Sequence, residues 1–463
     1  MLFPTVEFAI FFPVVLAASW ALMPRPHLWK PFIVAASYVF YGAASWSFCL
    51  LLAGVTLANQ AAAQLVHRST SERTRRAIIA AAVAIDLSAL AVFKYYGFFA
   101  QEIDDGLSSI GMGLPLPLLT IALPVGISFF TFQAISYSVD VYRRVLPPAK
   151  TVDVAVYLSF FPHLVAGPIV RAREFLPQLA GPRDPSDVPV GPAMTLIGIG
   201  LVKKVLIADF LARAIVDPVF GVPQAYAAPD VALAAYAYAA QIYCDFSGYT
   251  DIAIGLALLM GFVFPKNFDR PYRSASFREF WRRWHITLSR FLRDFLYIPL
   301  GGNRGGRWRT VRNLMITMTL GGLWHGAAWT FVLWGALHGT CLSTEHVFRG
   351  KVRLPKWLAW LVVFHLVLLG WILFRSQNLE LVGTFLGRLT VGGPATLWSF
   401  PVLLAVGVVI GLQLLPTGWT DWLRFRVETW RPVALATTLT AIVLVVGATV
   451  PSQGVAPFIY FRF

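Results

Sequence analysis

His325 lies in Gly321-Gly322-Leu323-Trp324-His325-Gly326, inside the apolar stretch 311–345. An ionisable residue in such a stretch is a functional candidate by default, because carrying it into hydrocarbon is costly. The three glycines weaken the helix and admit close approach of backbone or ligand. A neutral imidazole in a low-dielectric channel can take a proton from a hydroxyl and return it to a leaving group. The same residue also reads as a core histidine bonded to a nearby carbonyl. A second candidate is Tyr243-Cys244-Asp245-Phe246-Ser247-Gly248-Tyr249-Thr250-Asp251, in the apolar stretch 229–262. Two carboxylates there are costly unless paired or wet. Asp245, with Ser247 and Tyr249, can orient a histidine or bind a substrate hydroxyl. A polar network that packs helices is the plainer reading.

The third candidate is the helix expected over residues 276–297. At 100° per residue, Phe277, Phe280, Trp281, Trp284, Leu288, Phe291, Leu292 and Phe295 fall within an arc of about 120°. Arginines occupy the other side, and such a helix can lie in the membrane interface with its aromatic face in the acyl region. His285 sits at the edge of the stripe and Ser289 one turn further on. By periodicity alone, an interfacial anchor with an incidental histidine is the simpler reading. The surrounding residues 263–312 set twelve Lys and Arg against Asp269, Glu279 and Asp294.

These residues need elements to hold them. The chain of 463 residues is 57% hydrophobic and only 13% charged, against roughly 25% charged in a soluble chain. Apolar stretches recur at 6–23, 31–44, 46–66, 77–100, 120–142, 189–209, 229–262, 311–345, 357–374, 400–417 and 432–450, and a spanning helix needs about 20 such residues. The expected fold is all-α, one multi-pass transmembrane bundle over residues 1–463 with about 11 or more membrane segments. Residues 31–66 read as two segments bent near Gly42, and 229–262 and 311–345 each as two segments broken at their centres. Residues 151–170, with Pro162, His163, Gly167 and Pro168, read as a re-entrant or buried piece. Met1–Met23 has no early basic region or small-residue cleavage site and reads as a retained first helix.

The net charge of +15 sits in short loops between apolar stretches, which argues against nucleic-acid binding. Loops 67–76, 143–150, 346–356 and 418–431 are basic and are expected in the cytoplasm, and the acidic loop 101–119 outside, with both termini outward. Cys49, Cys244 and Cys341 read as buried free thiols. No HExxH motif, Cys/His cluster, dinucleotide fingerprint or nucleophile elbow is present. Gly301–Gly306 lacks the P-loop lysine pattern and reads as a turn. His325 and His338, 13 residues apart, would point about 140° away from each other on one continuous helix.

Several stretches together resemble the membrane-bound O-acyltransferases, in their alginate-acetylating branch. They are LPVGISFFTFQAISYSVDVYR at 123–143, FFPHLVAGPIVR at 160–171, YCDFSGYTDIAIGLALLMGF at 243–262, NFDRPYRSASFREFWRRWHITLSRFLRDFLYIPLGGNRGG at 267–306, GGLWHGAAWTFVLWGALHG at 321–339 and PFIYFRF at 457–463. The likeness covers nearly the whole chain in order. It implies a helical bundle with a central channel, His325 as the catalytic histidine and His285 as the second characteristic one. Asp245, Ser247, Tyr249 and Trp324 would be supporting residues. It further implies no bound cofactor, a cytoplasmic acyl donor such as acetyl-CoA, and a bacterial inner-membrane location. The acceptor would be a secreted or envelope polysaccharide: alginate, or else cellulose or peptidoglycan. A D-alanyl-transferring branch shares the core, and the ending PFIYFRF favours the alginate type. Arginine suits phosphate recognition, so Arg282 and Arg283 are candidates for coenzyme A. The outer loops are short, so a separate extracytoplasmic acetyltransferase is expected to grip the polymer. A transporter without chemistry would tolerate loss of His325, and a purely structural subunit has no reason to bury His325 and Asp245.

Overall fold

Away from water, a backbone must satisfy its own polar groups, and a largely apolar chain does this most simply as helices. The computed structural model describes residues 1, 3–112, 123–351, 354–416, 418–419, 430 and 432–449, and no strand occurs among them. Packing divides the chain into two compact units, residues 1–189 with 256–265, and residues 190–255 with 266–463.

The first unit contains α1 (Val6–Leu22), α2 (Pro26–Gly42), α3 (Trp46–Arg68), α4 (Glu72–Ser109) and α5 (Ile127–Tyr142). The break near Gly42 is present, and it has a steric cause. The Trp46 indole folds so closely over Gly42 that a Cβ there would lie 2.8 Å from it. Polar side chains join α3 to α4 and α5: Asn59 donates to Asp86 at 2.9 Å, and Ser138 and Tyr137 donate to Asn59 and Gln60 at 2.6 and 2.7 Å. The expected outer loop at 101–119 is corrected in part. α4 continues to Ser109, and residues 113–119 lie outside the described ones. Residues 151–170 form α6 (Thr151–Ser159), α7 (Phe161–Leu164) and an irregular run leading to α8 (Ala172–Phe175). They are the buried piece expected: His163 Nε2 donates to the Tyr157 carbonyl at 2.7 Å and Tyr157 Oη to that of Val170 at 3.0 Å.

The second unit begins with α9 (Val190–Leu201), α10 (Asp209–Leu211) and α11 (Asp217–Gly221), linked by π-helical segments at Val202–Ala208 and Ala212–Val216. Next comes α12 (Ala228–Leu259), a single helix. This corrects the expectation of two segments in 229–262. The polar centre survives inside one helix because its carboxylates are matched. Lys204 donates to Asp245 at 2.5 Å and Asp209 at 2.9 Å, and Lys203 donates to Asp251 at 2.7 Å. Glycines bring α9 and α12 close, for a Cβ on Gly255 would lie 2.7 Å from the Ala193 carbonyl oxygen.

The unit continues with α13 (Phe277–Arg283), α14 (Ile286–Leu292), a π-helical turn at Arg293–Tyr297, α15 (Arg307–His325), α16 (Trp329–Val347), α17 (Lys356–Arg375), α18 (Leu379–Arg388), α19 (Phe400–Leu414) and α20 (Pro432–Thr449). Two further corrections fall here. Residues 276–297 are broken at Trp284-His285 and do not form one helix. Their aromatic stripe is not offered to lipid: Phe277, Phe280, Trp281, Trp284, Leu288, Phe291 and Leu292 are all buried inside the protein. The stretch 311–345 does split into two helices. Residues 420–429 and the ending 457–463 lie outside the described ones. By length and composition α3, α4, α12 and α17 can each cross a membrane, and α1, α19 and residues 433–449 are shorter apolar helices.

Candidate active site

His325 is the last residue of α15. The helix stops there because Gly326 is extended and the Phe331 ring packs over it, leaving no room for a side chain. α16 then returns alongside α15. Gly322 faces the Phe331 carbonyl and Gly335 faces that of Met318, at separations no side chain could enter. α15 and α16 are separate helices, so the angle that one continuous helix would give does not apply to His338. Trp334 of α16 touches both histidines, with ring centroids 5.0 Å from His325 and 4.7 Å from His338.

His285 occupies the break between α13 and α14, with φ 42° in the left-handed region, a conformation costing a non-glycine residue roughly 1–2 kcal/mol. An extended segment holds the break open. Asp269 N–H donates to the Arg283 carbonyl and Ile286 N–H to that of Asn267, both at 2.9 Å. The Arg283 guanidinium bonds the Asp269 carbonyl and carboxylate at 3.1 Å each and Glu279 at 3.0 Å. Asn267 Oδ1 accepts from Thr287 N–H at 3.2 Å and Thr287 Oγ1 at 2.9 Å, and it lies 3.1 Å from His285 Nδ1. An unprotonated Nδ1 would set its lone pair against the Asn267 oxygen at 3.1 Å, so Nδ1 carries the proton and Nε2 keeps its lone pair. Burial pushes the His285 imidazole down to about 3, so the ring is neutral at ordinary pH.

Trp324 packs near both candidate histidines, with ring centroids 6.2 Å from His285 and 4.9 Å from His325. Phe374 and Trp334 also pack against His325 at 5.3 and 5.0 Å, and Phe246 packs edge-on to His285 at 4.6 Å. His285, Trp324 and His325 are thus brought together, all buried in the second unit. Asp245 joins Lys204. Ser247 and Tyr249 are buried on the same helix. Arg282 is exposed, as are Arg290 and Arg293, whereas Arg283 is committed to its two carboxylates. No group of three or more His, Cys, Asp or Glu among the described residues is arranged to hold a metal ion.

The sequence profile of the membrane-bound O-acyltransferase family matches residues 142–376. The chain is 45% identical over 353 residues to the probable alginate O-acetylase AlgI of Pseudomonas aeruginosa, covering 75% of this chain and 67% of that protein. It is 38% identical to the protein of the same name in Pseudomonas putida, over 93% of this chain and 94% of that one. The peptidoglycan O-acetyltransferase of Helicobacter pylori is 36% identical over 77% of this chain and 72% of its own length. The chain belongs to the membrane-bound O-acyltransferase family.

In this O-acyltransferase the matched region holds His285, Trp324, His325, Asp245 and Arg282 alike. Three further residues matter and were not singled out from sequence. Asn267 fixes the His285 tautomer from 18 positions away, a contact that no local pattern signals. Lys204 had a signal: adjacent lysines in the apolar stretch 189–209 need acidic partners, and Asp245 and Asp251 stood unpaired in another. Trp334 had none, since a tryptophan in an apolar helix is ordinary.

Proposed function

We propose that this O-acyltransferase moves an acetyl group from acetyl-CoA, on the cytoplasmic side of the bacterial inner membrane, to a secreted polysaccharide such as alginate. The observation that carries this reading is the packing of two buried histidines against the same tryptophan, Trp324. His325 serves as base. An acceptor hydroxyl bonds the acyl carbon as its proton passes to the imidazole, the thioester C–S bond breaks, and the proton returns to the departing thiolate. His285 supports the site with its Nε2 lone pair, and Trp324 fixes the spacing of the two rings. Lys204 and Asp245, with Ser247 and Tyr249 nearby, hold α12 in place behind them. The long and short apolar helices together form a multi-pass bundle of about 11 or more segments around a central channel. No cofactor is bound, and a separate extracytoplasmic acetyltransferase delivers the group to the polymer.

Arg282 is the proposed contact for coenzyme A phosphates, because it is exposed while Arg283 is held by carboxylates. Arg282→Glu should raise KM for acetyl-CoA severalfold and leave kcat nearly unchanged. A fall in protein yield alone would make Arg282 a topology anchor. Similarity to the H. pylori protein supports peptidoglycan as the alternative acceptor. Analysis of ester-linked acetate on secreted and wall polymers of a deletion strain tests the function. Loss from the secreted polysaccharide supports the main reading, loss from peptidoglycan the alternative, and unchanged esters on every glycan contradict both.

A further inference from the structure

Among the described residues, Arg183 is a half-buried cation that makes no ion pair. Its guanidinium packs over the rings of Trp29 and Phe262, with Cζ 3.9 and 4.2 Å from their centroids. Nη1 donates to the Met260 carbonyl at 2.8 Å, and the guanidinium makes no other hydrogen bond among the described residues. A structural staple accounts for Nη1 and the stacking. It leaves unused the edge formed by Nε and Nη2, which is the edge that grips two oxygens of a phosphate or carboxylate.

Arg183 lines a cleft of about 560 Å³ in the first unit. The cleft lies where α1 and α12 end side by side, for Trp20 Nε1 donates to the Leu259 carbonyl at 2.7 Å. Met23, Pro24, Leu258 and Val263 give it apolar walls, and Val263 is 67% exposed, so the cleft opens to the surroundings on an apolar side. Asp184 and Asp187, both exposed, line the same cleft. Asp184 Oδ1 accepts from the Ser186 N–H at 2.8 Å and hydroxyl at 2.7 Å, and Oδ2 has no partner among the described residues. One cleft thus carries a cation and two carboxylates that are not paired with one another.

Opposite charges that share a cleft without neutralising each other suit a guest that carries both. A phosphate diester brings one negative charge and two free oxygens for the Nε–Nη2 edge. A primary ammonium brings one positive charge and three N–H donors for the carboxylates. Apolar walls at the ends of two apolar helices suit hydrocarbon joined to such a headgroup. We propose that this cleft holds one phosphatidylethanolamine molecule. Its phosphate sits on Arg183, its ammonium between Asp184 and Asp187, and its glycerol and upper chains along Met23, Leu258 and Val263. A lipid without the ammonium would face two uncompensated carboxylates, and a trimethylammonium has no N–H to give them.

The test is native mass spectrometry of purified, delipidated full-length protein, titrated with phosphatidylethanolamine, phosphatidylglycerol or phosphatidylcholine of matched chains. The wild type should bind its first phosphatidylethanolamine about fivefold more tightly than either other lipid, the scale of a partly exposed charge pair. Asp184→Asn combined with Asp187→Asn should shrink that preference to under about twofold. The Asp184→Asn side chain can still accept from Ser186, so this double variant keeps the loop. Arg183→Gln should weaken the first site for all three lipids about fivefold. If its thermal midpoint shows that it fails to fold, the double variant decides. Excess O-phosphoethanolamine, the soluble headgroup without chains, should not displace the lipid. Equal binding of the three lipids by the wild type, or an undiminished preference in the double variant, overturns the proposal. Displacement by O-phosphoethanolamine at the lipid's own concentration also overturns it, because the guest would then be a soluble compound.

Discussion

His285 shows how one residue can combine strain and chemistry. Its left-handed backbone would suit glycine, yet an imidazole stands there, bonded through Nδ1 to Asn267. Strain of this kind persists when the surroundings over-determine it, and here Asn267 and Asp269 capture the backbone groups that the break frees. Removing the Asn267 oxygen would release the ring and leave both Thr287 donors without their acceptor. Asn267→Ala should lower kcat for acetyl transfer about tenfold, corresponding to one lost orienting hydrogen bond. Asn267→Asp, which keeps an acceptor, should lose less. Equal rates for wild type and the alanine variant would mean that the His285 tautomer is irrelevant to turnover. His325 stood out in the sequence as an ionisable residue in an apolar stretch, whereas His285 became a candidate only through the family resemblance, since its periodicity alone favoured an interfacial anchor. The support for His285 was not legible, since it comes from a segment whose only local signal is a run of basic residues.

At the scale of elements, glycine and charge were read with unequal success. The hairpin of α15 and α16 was visible in its glycines, for Gly322, Gly326 and Gly335 each sit against backbone or an aromatic ring that leaves no space for a Cβ. α12 was misread because Asp245 and Asp251 resemble a breaking point when their lysine partners are out of view. The break at Trp284-His285 was invisible because the aromatic spacing runs through it without a glycine or proline. The same lysines give a stability prediction. Lys204 is 1% exposed and bonds two carboxylates, and removing one partner of a buried ionic group costs about 3–5 kcal/mol. Lys204→Met should lower the thermal midpoint in detergent by many degrees, and Lys204→Arg by less. A midpoint unchanged in Lys204→Met would show that water already neutralises this cluster.

At the scale of the whole molecule, the proposed topology has the basic loops facing the cytoplasm while the acyl group emerges outside. Residues 67–76 carry Arg68, Arg73, Arg75 and Arg76, and the positive-inside rule puts them in the cytoplasm. A single cysteine introduced there, in a cysteine-free background, should resist an impermeant maleimide in intact cells and react after lysis. Labelling of intact cells would invert the proposed topology. The fold's helical class and membrane nature were readable from composition and apolar length. Its division into two compact units was not, because packing between distant segments leaves no local pattern. The most direct test is acyl transfer by purified protein in sealed proteoliposomes, with radiolabelled acetyl-CoA on the face exposing residues 67–76 and an extracytoplasmic acetyltransferase with polymer on the other. Label should reach the polymer with the wild type and fall to background with His325→Ala at equal insertion. Substantial labelling by the His325→Ala protein would contradict the proposed role of His325.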